Sequence, residues 1–178
     1  MRRLIFLLPI AIVAVLVALF WIGLDPKREK SVLPSALVGN PAPAVDLPGL
    51  SDGAPRLTLA QFKGQLAAIN FFASWCLPCR AEHPILKQIT AEFGVPVIGI
   101  AWKDKPEAAR AFLDELGDPY AATGADGNGR TGIDFGITGV PETFLVAADG
   151  TVLYRFAGPL SPEGLRDELA PAIAEAKK

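Results

Sequence analysis

The chain has 178 residues, with 17 Lys and Arg against 19 Asp and Glu, a formal net charge of −2, two Cys and one His. Such a balance argues against nucleic-acid binding. Two cysteines and one histidine also fall short of the four ligands of a structural zinc site.

The chain opens with Arg2 and Arg3, followed by an uncharged apolar run from Leu4 to Leu24. About 20 such residues are enough to span a bilayer. The run exceeds the roughly 7–15-residue apolar core of a cleavable signal, and no small-x-small site follows it. It predicts an uncleaved transmembrane anchor over residues 4–24; a cleaved secretory signal, the alternative, would put the same domain in the same compartment without a tether. Arg2 and Arg3 are uncompensated, whereas Lys27, Arg28 and Lys30 are partly offset by Asp25 and Glu29. The N-terminus is therefore expected in the cytoplasm and the rest outside. Without Arg2 and Arg3, 15 basic and 19 acidic residues leave about −4 on the exported part. Residues 25–38, charged and proline-containing, predict a tether, and residues 39–178 fit one domain.

Within that domain the proline-rich "GNPAPAVDLPGL" (Gly39–Leu50) predicts extended chain. Leu66–Ala73 is a continuous apolar run, consistent with a buried central strand. From Cys79 to Phe93 the apolar positions Ala81, Ile85, Leu86, Ile89 and Phe93 recur at helical spacing, ending before Gly94. A second strand is predicted over Val95–Trp102 and a second helix over Pro106–Leu116, with proline at its start. Strand, helix, strand implies a parallel crossover. Gly124–Gly132, rich in glycine and polar residues, predicts a loop. Thr143–Ala147 and Thr151–Phe156 predict two strands joined through Ala148-Asp149-Gly150, an Asp-Gly hairpin signal. Ser161-Pro162 then opens a C-terminal helix with Leu165, Leu169 and Ile173 on one face. The order βαβα followed by ββα is that of a thioredoxin-like α/β domain, a central mixed sheet flanked by helices.

Both cysteines lie in "FFASWCLPCR", Phe71–Arg80. A bridge between Cys76 and Cys79 closes too short a loop to serve as a staple. Covalent haem attachment needs histidine directly after the second cysteine, where this chain has Arg80. In an oxidising compartment an isolated pair is either permanently oxidised or re-reduced by something. At the predicted strand-to-helix turn Cys76 meets the free N–H groups and positive dipole end of a helix, which favour a thiolate. Cys79, one turn on, is placed to attack any mixed disulfide that Cys76 forms. The pattern predicts dithiol–disulfide exchange with Cys76 as nucleophile, Pro78 stiffening the dipeptide between the sulfurs and Trp75 packing beside them as part of a docking surface. A second constellation, "FGITGVPETF" (Phe135–Phe144), leads into the hairpin. Its Val140–Pro141 bond would on statistics alone be trans, since only about 5–6% of X-Pro bonds are cis.

The joint occurrence of "NFFASWCLPCRAEHP", "KDKPEAARAFLDELGDPY" and "GVPETF" resembles the membrane-anchored, thioredoxin-like thiol:disulfide interchange proteins of cytochrome c maturation, the DsbE/CcmG family. The resemblance runs over nearly the whole chain. It implies a cis bond at Val140–Pro141, facing the cysteines. It also implies a reductant that reduces the CxxCH disulfide of apocytochrome c, or of a haem-ligation partner, and a transmembrane thiol-reductant transporter as electron donor. The expected location is the bacterial inner membrane, as a single-pass protein with its C-terminal domain in the periplasm. No cofactor or metal is expected beyond the redox-active pair. Glu82 and Glu142 match acidic positions that in the family lie near the active site, where an acid raises a thiol pKa; Glu82 reads equally well as a solvated helix charge. Asn70 stands where thioredoxin itself has a buried aspartate, and because asparagine cannot shuttle a proton, Glu142 becomes a candidate for that work. His83 reads as a surface residue on the first turns of the helix. Three rival readings are a general extracytoplasmic thiol reductase or oxidase, a copper(I) chaperone using Cys76, Cys79 and His83, and a docking module in which the pair is incidental.

Overall fold

A computed structural model describes residues 7–23 and 35–178, and the chain divides into two units, Met1–Leu33 and Pro34–Lys178. In the first unit, α1 (Leu7–Gly23) is a 17-residue helix without a charged residue. Ile12, Val15, Leu16, Phe20 and Trp21 are exposed along it, so it has no polar face. At about 1.5 Å per residue it measures roughly 26 Å, against a hydrocarbon core of about 30 Å. Among the described residues no helix is long and apolar enough to cross a membrane. Of the run expected as an anchor over residues 4–24, Leu7–Gly23 is described, as a helix. Its outer residues, the flanking charges and residues 25–34 of the tether lie outside the described residues.

The second unit is built on five strands in the order β5-β4-β3-β6-β7. The central strand β3 (Ala67–Phe72) is buried at every position, as a run that is apolar except at Asn70 requires of a strand covered on both faces. It runs parallel to β4 (Val97–Trp102), which pairs in parallel with β5 (Ala122–Asp126). On its other side β3 pairs antiparallel with β6 (Glu142–Val146), and β6 with β7 (Val152–Ala157). β1 (Asp46–Leu47) and β2 (Leu57–Thr58) form a separate two-stranded ribbon that packs on β5. The helices are α2 (Leu77–Phe93), α3 (Pro106–Leu116), the short α4 (Arg130–Asp134) and a C-terminal α5. α5 runs in three consecutive stretches, Pro162–Gly164, Leu165–Leu169 with π geometry, and Ala170–Ala176. The π stretch stands just before Pro171, which lacks an N–H for the ordinary helical ladder.

Alternation along β3 sorts the core. Ile69 and Phe71 face a cluster with Ile98, Ile100, Phe135 and Phe144, while Ala68 faces Ile85, Leu86 and Ile89 of α2 and Leu165, Leu169 and Ile173 of α5. α3 closes over Phe72 and Ala101 through Ala109, Phe112 and Leu113.

Two sequence expectations change here. Gly124–Gly132, expected as a loop, contributes the end of β5 and the start of α4. The stretch "ATGAD" carries no periodic apolar pattern because its small residues accommodate the β1–β2 ribbon: a Cβ on Gly124 would stand 2.8 Å from Leu57 and 2.9 Å from Leu47. Residues 35–38, expected in the tether, belong to the domain, for Leu37 packs on the core and Gly39 N–H donates to the Val152 carbonyl at 2.8 Å.

Candidate active site

β3 carries the chain straight into Ala73-Ser74-Trp75-Cys76. Asp104, in the β4–α3 connection, holds this turn: its carboxylate accepts the Ser74 N–H at 2.6 Å and the Ser74 hydroxyl at 3.0 Å. Trp75 stays exposed (59%), with its indole N–H donating to the Lys103 carbonyl at 3.2 Å. Cys76 is the N-cap of α2, and its Sγ accepts the Cys79 N–H at 3.1 Å. A disulfide joins Cys76 to Cys79. Leu77 and Pro78 are exposed between them, whereas both cysteines are buried. The free N–H groups of the helix start favour a thiolate at Cys76 once the pair is reduced.

Facing the pair is the loop before β6. The Val140–Pro141 bond is cis, against the statistics of X-Pro bonds alone. The Val140 carbonyl oxygen lies 3.6 Å from Cys76 Sγ, where a reduced Cys76 S–H would find its acceptor. Glu142 braces this loop. One carboxylate oxygen accepts the Thr138 N–H at 2.7 Å, the Thr138 hydroxyl at 2.8 Å and the Gly139 N–H at 3.3 Å. The other pairs with Arg155 of β7 at 2.7 Å, both side chains being almost wholly buried. These contacts make Glu142 a brace that ties the cis-proline loop to β7 through Arg155.

A buried polar network joins β3 to α2. Asn70, in the middle of β3, donates its Nδ2 to Glu82 Oε1 at 2.9 Å and to Thr143 Oγ1 at 3.1 Å. Its Oδ1 accepts the Tyr120 hydroxyl at 2.8 Å. Glu82 Oε2 accepts the Leu160 N–H at 2.8 Å. Glu82 is only 1% exposed, so its reading as a solvated helix charge is wrong: the loop carrying Leu160 covers this side of α2. Burial pushes its carboxyl up to about 7, with the bonds from Leu160 and Asn70 pulling the other way.

His83 is also corrected. It is buried, not on the surface, with its ring edge-on to Phe112 and Tyr120 and its Nε2 2.5 Å from the Gly117 carbonyl. Its Nδ1 has no partner, and burial lowers its pKa. Among the described residues no group of three or more His, Cys, Asp and Glu is placed to hold a metal ion. Thr143, Tyr120, Asp104 and Arg155 were not singled out from the sequence. Tyr120 had a signal of a kind, since it closes the "KDKPEAARAFLDELGDPY" segment. An apolar cavity of about 330 Å³, lined in part by Pro43, Leu59, Phe62 and Ile98, lies at the end of the sheet away from the cysteines, which do not line it.

A disulfide at a helix N-terminus, facing a cis-proline loop on a sheet of this order, defines a thioredoxin-like thiol:disulfide oxidoreductase. The Redoxin family model matches residues 37–173. The thiol:disulfide interchange protein DsbE of Pseudomonas aeruginosa is 42% identical over 173 residues, 96% of this chain and 93% of that protein. CycY of Rhizobium leguminosarum bv. viciae, also a thiol:disulfide interchange protein, is 45% identical over 144 residues, 81% of this chain and 77% of its own. A crystal structure described as a thiol:disulfide interchange protein DsbE from Chlorobium tepidum has a TM-score of 0.67 at 29% identity, over 76% of this chain and 97% of that one. The chain belongs to the Redoxin family and, within it, to the thiol:disulfide interchange proteins of the DsbE type.

Proposed function

We propose that the protein acts as a reductant, reducing the CxxCH disulfide of apocytochrome c, or of a haem-ligation partner, on the outer side of the bacterial inner membrane. The observation that carries the reading is the Cys76–Cys79 pair facing Val140, with Glu82 buried one turn beyond Cys79.

In the reduced protein, the Cys76 thiolate attacks one sulfur of the client disulfide. That S–S bond breaks, the released client sulfur takes a proton from solvent, and a Cys76–client disulfide forms. Cys79 then gives its thiol proton to the Glu82 carboxylate and attacks Cys76 Sγ. The mixed disulfide breaks, the second client sulfur leaves and is protonated, and the Cys76–Cys79 disulfide is restored. Two electrons have passed to the client. A carboxyl group held near 7 by burial suits this exchange, because its proton affinity is matched to the working pH. Glu142 and Arg155 keep the Val140–Pro141 loop in place, Trp75 and Leu77 offer the client an apolar rim, and Pro78 stiffens the turn. Asn70 carries no proton and orients Glu82.

Re-reduction requires a dithiol donor on the same side, for which a transmembrane thiol-reductant transporter is the fitting class. α1, apolar on every side, is best satisfied in lipid, as part of an anchor over residues 4–24 with residues 25–34 as tether.

The test is the reduction potential of the full chain in mild detergent, equilibrated against thiol buffers. A value near the thioredoxin range, about −270 mV, supports a reductant; one near about −120 mV marks an oxidant and overturns this reading. For the client, Cys79→Ser is expected to trap a mixed disulfide with an oxidised CxxCH peptide.

A further inference from the structure

We propose that Tyr120 is a positioning residue of this site: its hydroxyl fixes the Asn70 amide with the NH2 group toward Glu82, and so sets how readily Glu82 takes a proton. The reading of Glu82 as the acceptor of the Cys79 proton is the ground on which its functional weight rests.

Every polar atom of the Asn70 side chain is used. Oδ1 accepts from Tyr120 at 2.8 Å, while the two amide hydrogens serve Glu82 Oε1 at 2.9 Å and Thr143 Oγ1 at 3.1 Å. Were the amide reversed, Oδ1 would face Glu82, which could bond to it only when protonated. Thr143 is indifferent, since its hydroxyl both donates and accepts. Tyr120 is not: in the reversed arrangement its O–H would lose its acceptor beside a fully buried Asn70, and an unsatisfied buried donor is costly.

The tyrosine is also held rigidly. Its ring stacks on Phe72, with centroids 5.0 Å apart and planes 26° from parallel, and it lies over Gly99 of β4, where a Cβ would stand 2.7 Å from the ring. Its N–H donates to Asp118 at 2.9 Å. Phenylalanine would fill the same space without the hydroxyl.

The groups that bear on Glu82 are Asn70 from β3, the Leu160 N–H from the connection between β7 and α5, and the Tyr120 phenol. Thr143 of β6 lies one bond further, Asp118 acts on Tyr120, and on α2 itself His83 turns to Gly117. Tyr120 is thus the group through which the orientation of the amide is decided.

The experiment follows the Glu82 side-chain carboxyl carbon by NMR titration in the oxidised full chain, wild type against Tyr120→Phe, beside the pH profile of disulfide exchange from pH 5 to 9. Tyr120→Phe is expected to raise the Glu82 midpoint by about one pH unit, a tenfold change in proton affinity, and to move the exchange inflection with it. In a Glu82→Gln background the Tyr120→Phe change should leave the profile where Glu82→Gln alone put it. An unmoved Glu82 midpoint overturns the positioning role, as does a profile shift of equal size in the Glu82→Gln background. A moved midpoint with unchanged exchange upholds the positioning and overturns the proton-acceptor reading instead.

Discussion

Replacing Glu82 by glutamine should change how stability depends on pH, and by an amount the structure sets. The Glu82 carboxyl is raised from 4.5 to about 7 in the folded protein, chiefly by burial. A folded-state value above the unfolded one means that the native state holds the proton more tightly. The stabilisation is therefore fully present below about pH 4.5 and is lost as pH rises, the loss being complete above about 7. The shift corresponds to roughly 3 kcal/mol. Glutamine does not titrate, so its variant escapes that loss. It incurs a constant one instead, because the Asn70 and Leu160 donors both need an acceptor and the glutamine NH2 can satisfy neither. One donor is left without a partner, at about 1–3 kcal/mol. The lowered His83 pKa adds an opposite slope, with stability lost as pH falls below 6.5, but it is common to both proteins and cancels. Urea unfolding of the oxidised chain from pH 4 to 8.5 checks this with no thiol titrating. The variant should be the weaker protein at pH 4 and should gain about 3 kcal/mol on wild type by pH 8.5. Parallel curves, with a difference constant to within about 1 kcal/mol, would refute the argument.

Arg155→Met strands the Glu142 carboxylate in a site where both partners are almost wholly buried, and should cost about 3–5 kcal/mol in chemical denaturation; a loss below about 1 kcal/mol contradicts the burial. Gly132→Ala would set a Cβ 2.3 Å from the Trp102 indole nitrogen, an overpacking worth about 1–3 kcal/mol. Calorimetry should register it as a fall in Tm of roughly 2–12 °C. Cys76→Ser should bring exchange down to the uncatalysed rate, whereas Cys79→Ser should accumulate a mixed disulfide on non-reducing gels; accumulation with Cys76→Ser instead would reverse the roles of the two sulfurs.

The elements that could be read from the sequence are those whose residues report their own surroundings. β3 is apolar at every position but Asn70 because both of its faces are covered, and α3 repeats its apolar positions and starts on proline, so its bounds, Pro106–Leu116, come out unchanged. β5 was missed for the opposite reason. A strand of Ala, Thr, Gly and Asp has no periodic pattern, and its glycine is explained only by the ribbon of Leu47 and Leu57 lying on it. The start of the domain was placed at residue 39 on composition, which says nothing of Leu37 reaching the core.

At the site the same distinction separates the cysteines from the acids. Cys76 and Cys79 are legible because their spacing and their place at a strand-to-helix turn already contain the chemistry. Glu82 and His83 look like the polar side of an amphipathic helix, and α2 does have such a side, but chain from far away in sequence closes over part of it: the connection carrying Leu160 and the turn at Gly117. Periodicity can mark where a helix is apolar, but it cannot show where a polar position is roofed by a loop 34 or 78 residues away. The consequence is functional. In thioredoxin the buried acid stands on the central strand. Here the strand position is Asn70 and the carboxyl comes from α2, so the acid sits on the same helix as both sulfurs, with Asn70 and Tyr120 determining how it is presented.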